Sequence, residues 1–291
     1  MRLVALVLSW NGREDTLACL ESLRGIETIC VDNASSDGSA EAVAERFPEV
    51  ELIRNEENLG FAGGNNVGLR QALERGADWV LLLNNDAVAD PGLAQALEAA
   101  AAARPDAGVL ACKVFFADPP DVLWYAGMRL RPGIGWHRHD GYSRRDDGRF
   151  DTMRDVESAT GAAMAVSRTA LERVGLLDEE LFAYVEDVEW CLRIRRAGFG
   201  VVFVPGARVW HKVSAAMGGA GSPTGLYYDT RNTLAVLERH RPLPPGLRAL
   251  RRLVVVGSHL AQAARQPGRR VATGAVVAGW RDYRAGRMGP R

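Results

Sequence analysis

The sequence contains few cysteines and no long apolar run. Its four cysteines are far apart and form no C-x-x-C pair, which favours buried free thiols in a reducing compartment over disulfides or zinc sites. No stretch reaches the roughly 18 apolar residues that a membrane-spanning helix needs. The run Leu3–Leu8 is too short for a secretory signal, and the polar Asn11-Gly12-Arg13-Glu14 follows it. We therefore expect a cytoplasmic protein.

Common signatures of nucleotide-binding and nucleic-acid-binding proteins are also absent. The sequence has neither the G-x-G-x-x-G of dinucleotide-binding folds nor the G-x-x-x-x-G-K-[ST] of P-loop enzymes. It has no zinc-finger spacing, no aromatic RNA-binding motif and no helix-turn-helix signature. These absences argue against a dinucleotide-binding protein, a P-loop enzyme and a nucleic-acid partner.

The composition is that of a globular protein with a buried core. Hydrophobic residues make up 47% and charged residues 25% of the 291 residues, which fit one large α/β domain, or one domain with an appendage. The formal net charge is zero, but the segment from Tyr227 to Arg291 has thirteen arginines and only three acidic residues. This basic segment predicts contact with an anionic partner, either the inner membrane face or a phosphate-bearing acceptor.

The N-terminal part alternates short apolar runs with amphipathic segments. The predicted strands and helices are, in order, Leu3–Leu8, Glu14–Leu23, a strand ending at Ile29–Val31, Ser39–Arg46, Val50–Ile53, Asn65–Arg75, Trp79–Leu83 and Pro91–Ala103. This alternation predicts an α/β fold with a mostly parallel sheet that helices cover on both faces.

Polar clusters follow three of the predicted strands. They are Ser9–Asn11, Asp32–Ser36 and Asn84–Asp86. Ligands of such sheets bind beyond the carboxyl ends of the strands. The three clusters therefore predict a ligand site along one edge of the sheet.

The second half of the sequence is less regular. We interpret Arg131–Arg154 as a surface excursion and Ser214–Pro223 as a flexible loop. Regular structure is predicted as strands at Gly161–Val166, Val201–Val204 and Arg208–His211 and as a helix at Glu186–Ala197. Three helices are expected after Gly225. We divide the chain into a nucleotide-binding domain, residues 1–225, and a basic helical extension, residues 226–291.

Six sequence blocks, in order, resemble those of family 2 glycosyltransferases of the GT-A fold, and the rhamnosyltransferase-like branch is the most similar. The blocks are VALVLSWNGREDTLACLESL, VDNASSDGS, NLGFAGGNNVGL, LLLNNDA, YVEDVEWCLRIRRAGF and VWHKVS. The resemblance covers about residues 3 to 240. It implies transfer of a sugar from a nucleotide-diphosphate donor, with inversion at carbon 1 and help from a divalent cation.

In this family a D-x-D motif holds the cation, and Asn84-Asn85-Asp86 corresponds to it. Asp86 matches the last carboxylate, while Asn84 replaces the first and reduces the ligand charge. The resemblance makes His211 the second ligand. Oxygen and imidazole ligands suit Mn²⁺ or Mg²⁺, which would stabilise the charge on the departing diphosphate. The alternative for Asn84–Asp86 is a simple turn before the next helix.

The resemblance assigns the general base to Asp187, with Glu186 orienting it or binding the acceptor. An inverting transfer needs a carboxylate that takes the proton of the attacking acceptor hydroxyl. A helix N-terminus would keep Asp187 ionised. The alternative is that the acidic pair only caps the helix that it begins.

The donor nucleotide is expected on the polar strand ends. Ser9, Asn11, Asp32 and Asn33 would hold the base and ribose, since an amide or carboxylate can bond the imide edge of uracil or thymine. Within Asn58–Asn66, Gly60 would allow close approach of the backbone to a ligand, and Asn65 lies in the same block. Arg231 could reach a phosphate. The Ser214–Pro223 loop would close over the bound donor.

These expectations together predict an inverting transferase of a single sugar. The resemblance favours dTDP-rhamnose as donor and a cell-surface polysaccharide or lipid-linked saccharide as acceptor. A galactofuranosyl or other hexosyl donor stays open, as does a sugar-phosphate nucleotidyltransferase, although SWNGRED replaces the Gly-rich basic signature that such an enzyme would carry. A non-catalytic binding protein is disfavoured by the presence of Asp86, Asp187 and His211.

Overall fold

A computed structural model gives the fold, and it describes residues 1–130, 137–213 and 221–291. Within these ranges the strands are β1 (Leu3–Ser9), β2 (Glu27–Asp32), β3 (Glu51–Arg54), β4 (Trp79–Asn84), β5 (Ala87–Ala89), β6 (Ala107–Phe116), β7 (Val122–Tyr125), β8 (Met128–Leu130), β9 (His137–His139), β10 (Arg144–Arg145), β11 (Arg154–Asp155), β12 (Ala163–Ser167) and β13 (Gly200–His211). The α-helices are α1 (Arg13–Ser22), α2 (Ser39–Arg46), α3 (Gly60–Glu74), α4 (Leu93–Ala103), α5 (Arg168–Val174), α6 (Glu186–Arg196), α7 (Pro223–His240), α8 (Pro245–Ala263) and α9 (Arg269–Arg284). A 3-10 turn spans Glu179–Leu181.

A single large sheet forms the centre of the fold, in the order β10-β7-β6-β12-β4-β1-β2-β3. Strands β4, β1, β2 and β3 are parallel, and β13 runs parallel to β6. Strand β12 is antiparallel between β4 and β6. The predicted α/β fold with a mostly parallel central sheet and C-terminal helices is confirmed, and antiparallel pairs extend the sheet on the β6 side.

The sequence prediction places the start of α3 too late. The helix begins at Gly60 and not at Asn65, so Gly63 and Gly64 are helical. A Cβ atom on Gly64 would collide with Leu8 of β1, which shows that this glycine allows α3 to approach the sheet closely. Glycine is unfavourable inside an isolated helix, so the sequence predicts a later start. Tertiary packing overrides that preference here.

Two further differences concern the second half of the chain. The two predicted strands before His211 are one strand, β13, whose register shifts between Val204 and Arg208, around Pro205, which cannot donate to the ladder. The described part of the predicted excursion carries the short strands β9, β10 and β11. Residues 131–136 lie outside the described residues.

The predicted three C-terminal helices are present as α7, α8 and α9. Helix α9 packs closely on α7. A Cβ atom on Gly279 would meet the backbone oxygen of Tyr227, so the close approach requires a glycine there. Helix α7 begins at Pro223, so the proposed division after residue 225 falls in its first turn. Within the described ranges, every helix is too short or too polar to cross a bilayer.

Candidate active site

A cavity of about 390 Å³ opens at the carboxyl ends of the central strands. Its wall contains eight of the residues that the sequence singles out, namely Asn33, Gly60, Asn84, Asn85, Asp86, Glu186, Asp187 and His211. These residues come from five separate stretches of sequence. The topology therefore brings the D-x-D-like turn, the acidic pair and the histidine to one place.

Asp86 and His211 are adjacent in this cavity. The turn Asn85-Asp86 joins β4 to β5, and β5 pairs with the end of β13, where His211 lies opposite Ala87. His211 Nε2 is 2.9 Å from Asp86 Oδ1, and both side chains are less than a tenth exposed. The amide of Asn84 lies 3.4 Å from the same imidazole nitrogen.

This pair has the chemistry of half a metal site. A carboxylate oxygen and an imidazole nitrogen suit an ion such as Mn²⁺. The other ring nitrogen of His211, Nδ1, is buried and has no hydrogen-bond partner among the described residues. No group of three or more His, Cys, Asp or Glu side chains in the described ranges is arranged to hold a metal. Asp86 and His211, with the Asn84 amide beside them, are therefore the residues that would hold a cation here.

The acidic pair follows a strained backbone. Phe182, Tyr184 and Val185 all have positive φ angles, between 63° and 72°. This conformation is costly for large side chains and most of all for a β-branched one, so surrounding contacts must hold it in place. The turn ends at the N-terminus of α6, where Glu186 and Asp187 enter the cavity wall.

Asp187 is oriented by backbone N–H groups. Its Oδ2 accepts a 2.8 Å hydrogen bond from Gly161 N, and its Oδ1 accepts one of 2.7 Å from Val188 N. Such bonds, together with the N-terminus of α6, stabilise a negative charge. Asp187 is therefore a carboxylate held in a fixed position on the cavity wall.

Glu186, which directly precedes Asp187 in the chain, lies in a different environment. It is 5% exposed, and its Oε2 is buried without a hydrogen-bond partner among the described residues. Burial raises the pKa of Glu186 well above its ordinary value, and the neighbouring charge of Asp187 raises it further. Adjacent acids in such unlike surroundings are typical of groups with separate roles.

Arg231 has a structural position that the sequence did not suggest. It is 1% exposed and absent from the cavity wall. Its guanidinium donates to the carbonyl oxygens of Glu180, Leu181 and Gly289. Its donors therefore serve the backbone of the protein itself, and the structure does not bring Arg231 to the cavity where a phosphate was expected.

The neighbour of Arg231, Asn232, braces the strained turn directly. Its amide donates to the carbonyl oxygens of Leu181, Ala183 and Tyr184 at 2.8–2.9 Å. Asn232 is completely buried. Helix α7 thus fixes the backbone that presents Glu186 and Asp187.

The residues predicted to hold the nucleotide divide into two groups. Ser9 and Asn11 lie beside the cavity wall, where Asn85 donates to the Asn11 carbonyl and to Thr16, and Ser9 shares a 3.0 Å bond with Thr16. Asp32 ends β2, and its Oδ1 is buried without a hydrogen-bond partner among the described residues. Asp32 itself is 4% exposed and does not line the cavity.

Asn33, Gly60 and Asn65 contact their own protein. The Asn33 amide donates to Asn58 and to the Gly60 carbonyl, and its oxygen accepts from Asn55 and Leu59 N. Gly60 has φ 73°, and a Cβ there would collide with Phe182. Asn65 donates to Phe61 within α3 and does not line the cavity.

Sequence reasoning missed an aromatic part of the wall. Trp124 packs edge-on against His211, with ring centroids 5.0 Å apart, and also against His139. Trp124, His139 and Met128 line the cavity, and they come from a region without clear periodicity. No sequence signal pairs these residues with His211. The predicted closing loop lies mostly in 214–220, outside the described residues.

Comparison with known proteins agrees with this geometry. The chain is 31% identical over 219 residues, 68% of its length and 70% of the relative's, to N-acetylglucosaminyl-diphospho-decaprenol L-rhamnosyltransferase of Mycobacterium tuberculosis. It is 27% identical over 230 residues, 74% of its length and 72% of the relative's, to the dTDP-rhamnosyl transferase RfbF of Shigella flexneri.

A solved structure of GalNAc-T7 with UDP, GalNAc and Mn²⁺ has the same fold, with a TM-score of 0.62 at 15% identity. The match covers 86% of this chain but only 54% of that one. Residues 5–225 match the family described as Glycosyltransferase like family 2. The chain therefore belongs to the family 2 glycosyltransferases, and it is an enzyme of that class.

Proposed function

We propose that the chain transfers one rhamnose from dTDP-rhamnose to a saccharide acceptor, with inversion at the anomeric carbon. The observation that carries the proposal is that Asp187 and the Asp86–His211 pair line one cavity at the carboxyl edge of the sheet. An inverting transfer needs a base on one side of the sugar and charge stabilisation at the leaving group on the other.

In this proposal Asp187 accepts the proton of the attacking hydroxyl. The acceptor oxygen forms a bond to the anomeric carbon, the bond from that carbon to the diphosphate oxygen breaks, and the nucleoside diphosphate leaves with the electron pair. The bonds from Gly161 N and Val188 N hold the carboxylate in one orientation on the cavity wall.

Asp86 and His211 would hold a divalent cation, Mn²⁺ or Mg²⁺. Such an ion neutralises charge on the departing diphosphate. Recognition of the base by Asp32, whose Oδ1 is buried without a hydrogen-bond partner among the described residues, stays a prediction.

The donor is supported by the relatives, whose names specify rhamnosyl transfer and, in RfbF, a dTDP-linked donor. The test is to incubate the chain and Mn²⁺ with dTDP-rhamnose, UDP-galactofuranose or UDP-glucose and to measure the nucleotide released. We expect dTDP from dTDP-rhamnose at the highest rate. Faster release of UDP from UDP-galactofuranose would overturn the donor, and release of a monophosphate or of pyrophosphate would indicate a nucleotidyltransferase.

We also propose that α8 lies on an anionic membrane surface. All exposed residues of α8 are uncharged. Among them, Leu247, Leu250 and Leu253 are 54%, 55% and 71% exposed. Arg265, Arg269 and Arg270 follow on the surface. An exposed apolar helix face beside a basic cluster is typical of interfacial helices. The name of the Mycobacterium tuberculosis relative also specifies a lipid-linked acceptor.

The double substitution Leu250→Glu and Leu253→Glu is expected to lower the affinity for phosphatidylglycerol vesicles by about tenfold or more, because both side chains would leave the apolar phase. Co-sedimentation measures this affinity. Met153→Glu, at another exposed apolar residue, is the matched control. Equal vesicle binding by all three proteins would remove the membrane proposal, and loss of a dimer in sedimentation velocity would indicate contact between copies instead.

A further inference from the structure

The cavity wall extends beyond the part of the chain that matches the family. The match ends at residue 225, yet Leu226 and Asp229 of α7 and Gln262 of α8 line the cavity. Tyr184 and Glu186 line the same cavity. The C-terminal helices therefore contribute polar side chains to a site whose other residues belong to the family domain.

Asp229 is held in place by both helices. Thr233 Oγ1 donates to its Oδ1 at 2.9 Å, and His259 Nε2 of α8 lies 3.2 Å from its Oδ2. His259 is 5% exposed, and its Nδ1 is 3.1 Å from Thr230 Oγ1. Thr230 gives its own proton to the Leu226 carbonyl, so Nδ1 must be the donor in that contact.

The contact of His259 Nδ1 with Thr230 holds the imidazole in place, and its Nε2 together with Thr233 fixes Asp229 in a single orientation. Its carboxylate is 24% exposed. Asp229 is thus a rigid acceptor of hydrogen bonds on the cavity wall.

Glu186 provides the second, independent observation. It is buried to more than nine-tenths, lines the same cavity, and its Oε2 has no hydrogen-bond partner among the described residues. Buried polar atoms almost always have a partner, so this atom indicates a missing ligand. Tyr184 and Asp229 line the same cavity as Glu186.

We infer that Glu186, Asp229 and Gln262 form a subsite that binds the saccharide of the acceptor through its hydroxyl groups. Carboxyl and amide oxygens accept hydrogen bonds from sugar hydroxyls, whereas a carboxylate such as that of Asp229 has no hydrogen-bond donor to offer a phosphate. The saccharide, not the phosphate end of an acceptor, therefore faces α7 and α8. This inference rests on the proposed function for the reaction, but binding at the subsite can be measured without turnover.

The probes are octyl glycosides of N-acetylglucosamine, glucose, galactose and rhamnose, with octyl phosphate as the anionic comparison. Their binding is measured by calorimetry with dTDP and Mn²⁺ present. We expect at least one glycoside to bind and octyl phosphate not to bind. Asp229→Asn is expected to weaken glycoside binding by about tenfold or more, since a hydrogen bond to a charged group is lost.

Glu238→Gln is the matched control, because Glu238 pairs with Arg252 between the same two helices but does not line the cavity. It should bind glycosides like the wild type. Should Asp229→Asn unfold at a lower temperature than this control, Gln262→Ala carries the same test. Binding of no glycoside, equal binding by all variants, or preference for octyl phosphate would overturn the subsite. Failure of the proposed function would appear separately, as wild-type protein that releases no nucleotide from any donor.

Discussion

Asp187→Asn is expected to reduce sugar transfer by about 10²–10⁴-fold, the usual contribution of a general base. Asparagine keeps the size of the side chain and can still accept the bond from Gly161 N, so the fold and the affinity for dTDP should persist. It cannot take the proton of the acceptor hydroxyl. Initial rates of dTDP release with saturating acceptor, together with calorimetric binding of dTDP, measure both quantities.

Asp178→Asn is the control for this substitution. Asp178 also begins a helical turn and accepts from a backbone N–H, but it lies outside the cavity wall. Its variant should retain wild-type turnover. Near-normal transfer by Asp187→Asn would refute the base assignment, and loss of transfer only in Glu186→Gln would move the role to Glu186.

Asp86→Ala is expected to weaken Mn²⁺ binding in the presence of dTDP by about a hundredfold or more, because it removes the only carboxylate of the pair. The bound ion would contribute several kcal/mol of charge stabilisation at the leaving group. His211→Ala should act in the same direction with a smaller effect, because the negatively charged ligand remains. Electron paramagnetic resonance of free Mn²⁺ reports the affinity without any need for turnover.

Asp90→Ala is the matched control here, since Asp90 directly follows β5 but is not in the cavity wall. It should bind Mn²⁺ as the wild type does. Unaltered Mn²⁺ affinity in both Asp86→Ala and His211→Ala would show that these residues do not hold the ion.

The local sequence pattern predicts the sheet and its polar edge, whereas only the family resemblance predicts that Asp86, Asp187 and His211 meet there. The apolar strands β1 and β4 end in polar turns, and parallel strands bring their carboxyl ends to one edge. The start of α3 could not be predicted, since Gly63 and Gly64 are unfavourable in an isolated helix and only the contact with β1 explains them.

Side-chain roles that depend on distant partners were also beyond the sequence. An arginine suggests an anion, but Arg231 donates to carbonyl groups that lie about fifty residues away. Asn33 stands at a strand end, where an amide suggests a ligand contact, yet it bonds to Asn55, Asn58 and Gly60 of its own protein. Asp229 and Gln262 have no motif, so only the packing of α7 and α8 connects them with the cavity.

The turn before α6 has a consequence for the stability of the enzyme. One amide group, that of Asn232, donates to three carbonyl oxygens of the turn that ends at Val185, a turn in which three residues have positive φ angles. If α7 loosens, this stretch relaxes to an ordinary conformation and both acids leave their positions. Heat or a destabilising substitution in the C-terminal helices should therefore abolish turnover while the β1–β4 region is still folded, so that inactivation precedes global unfolding.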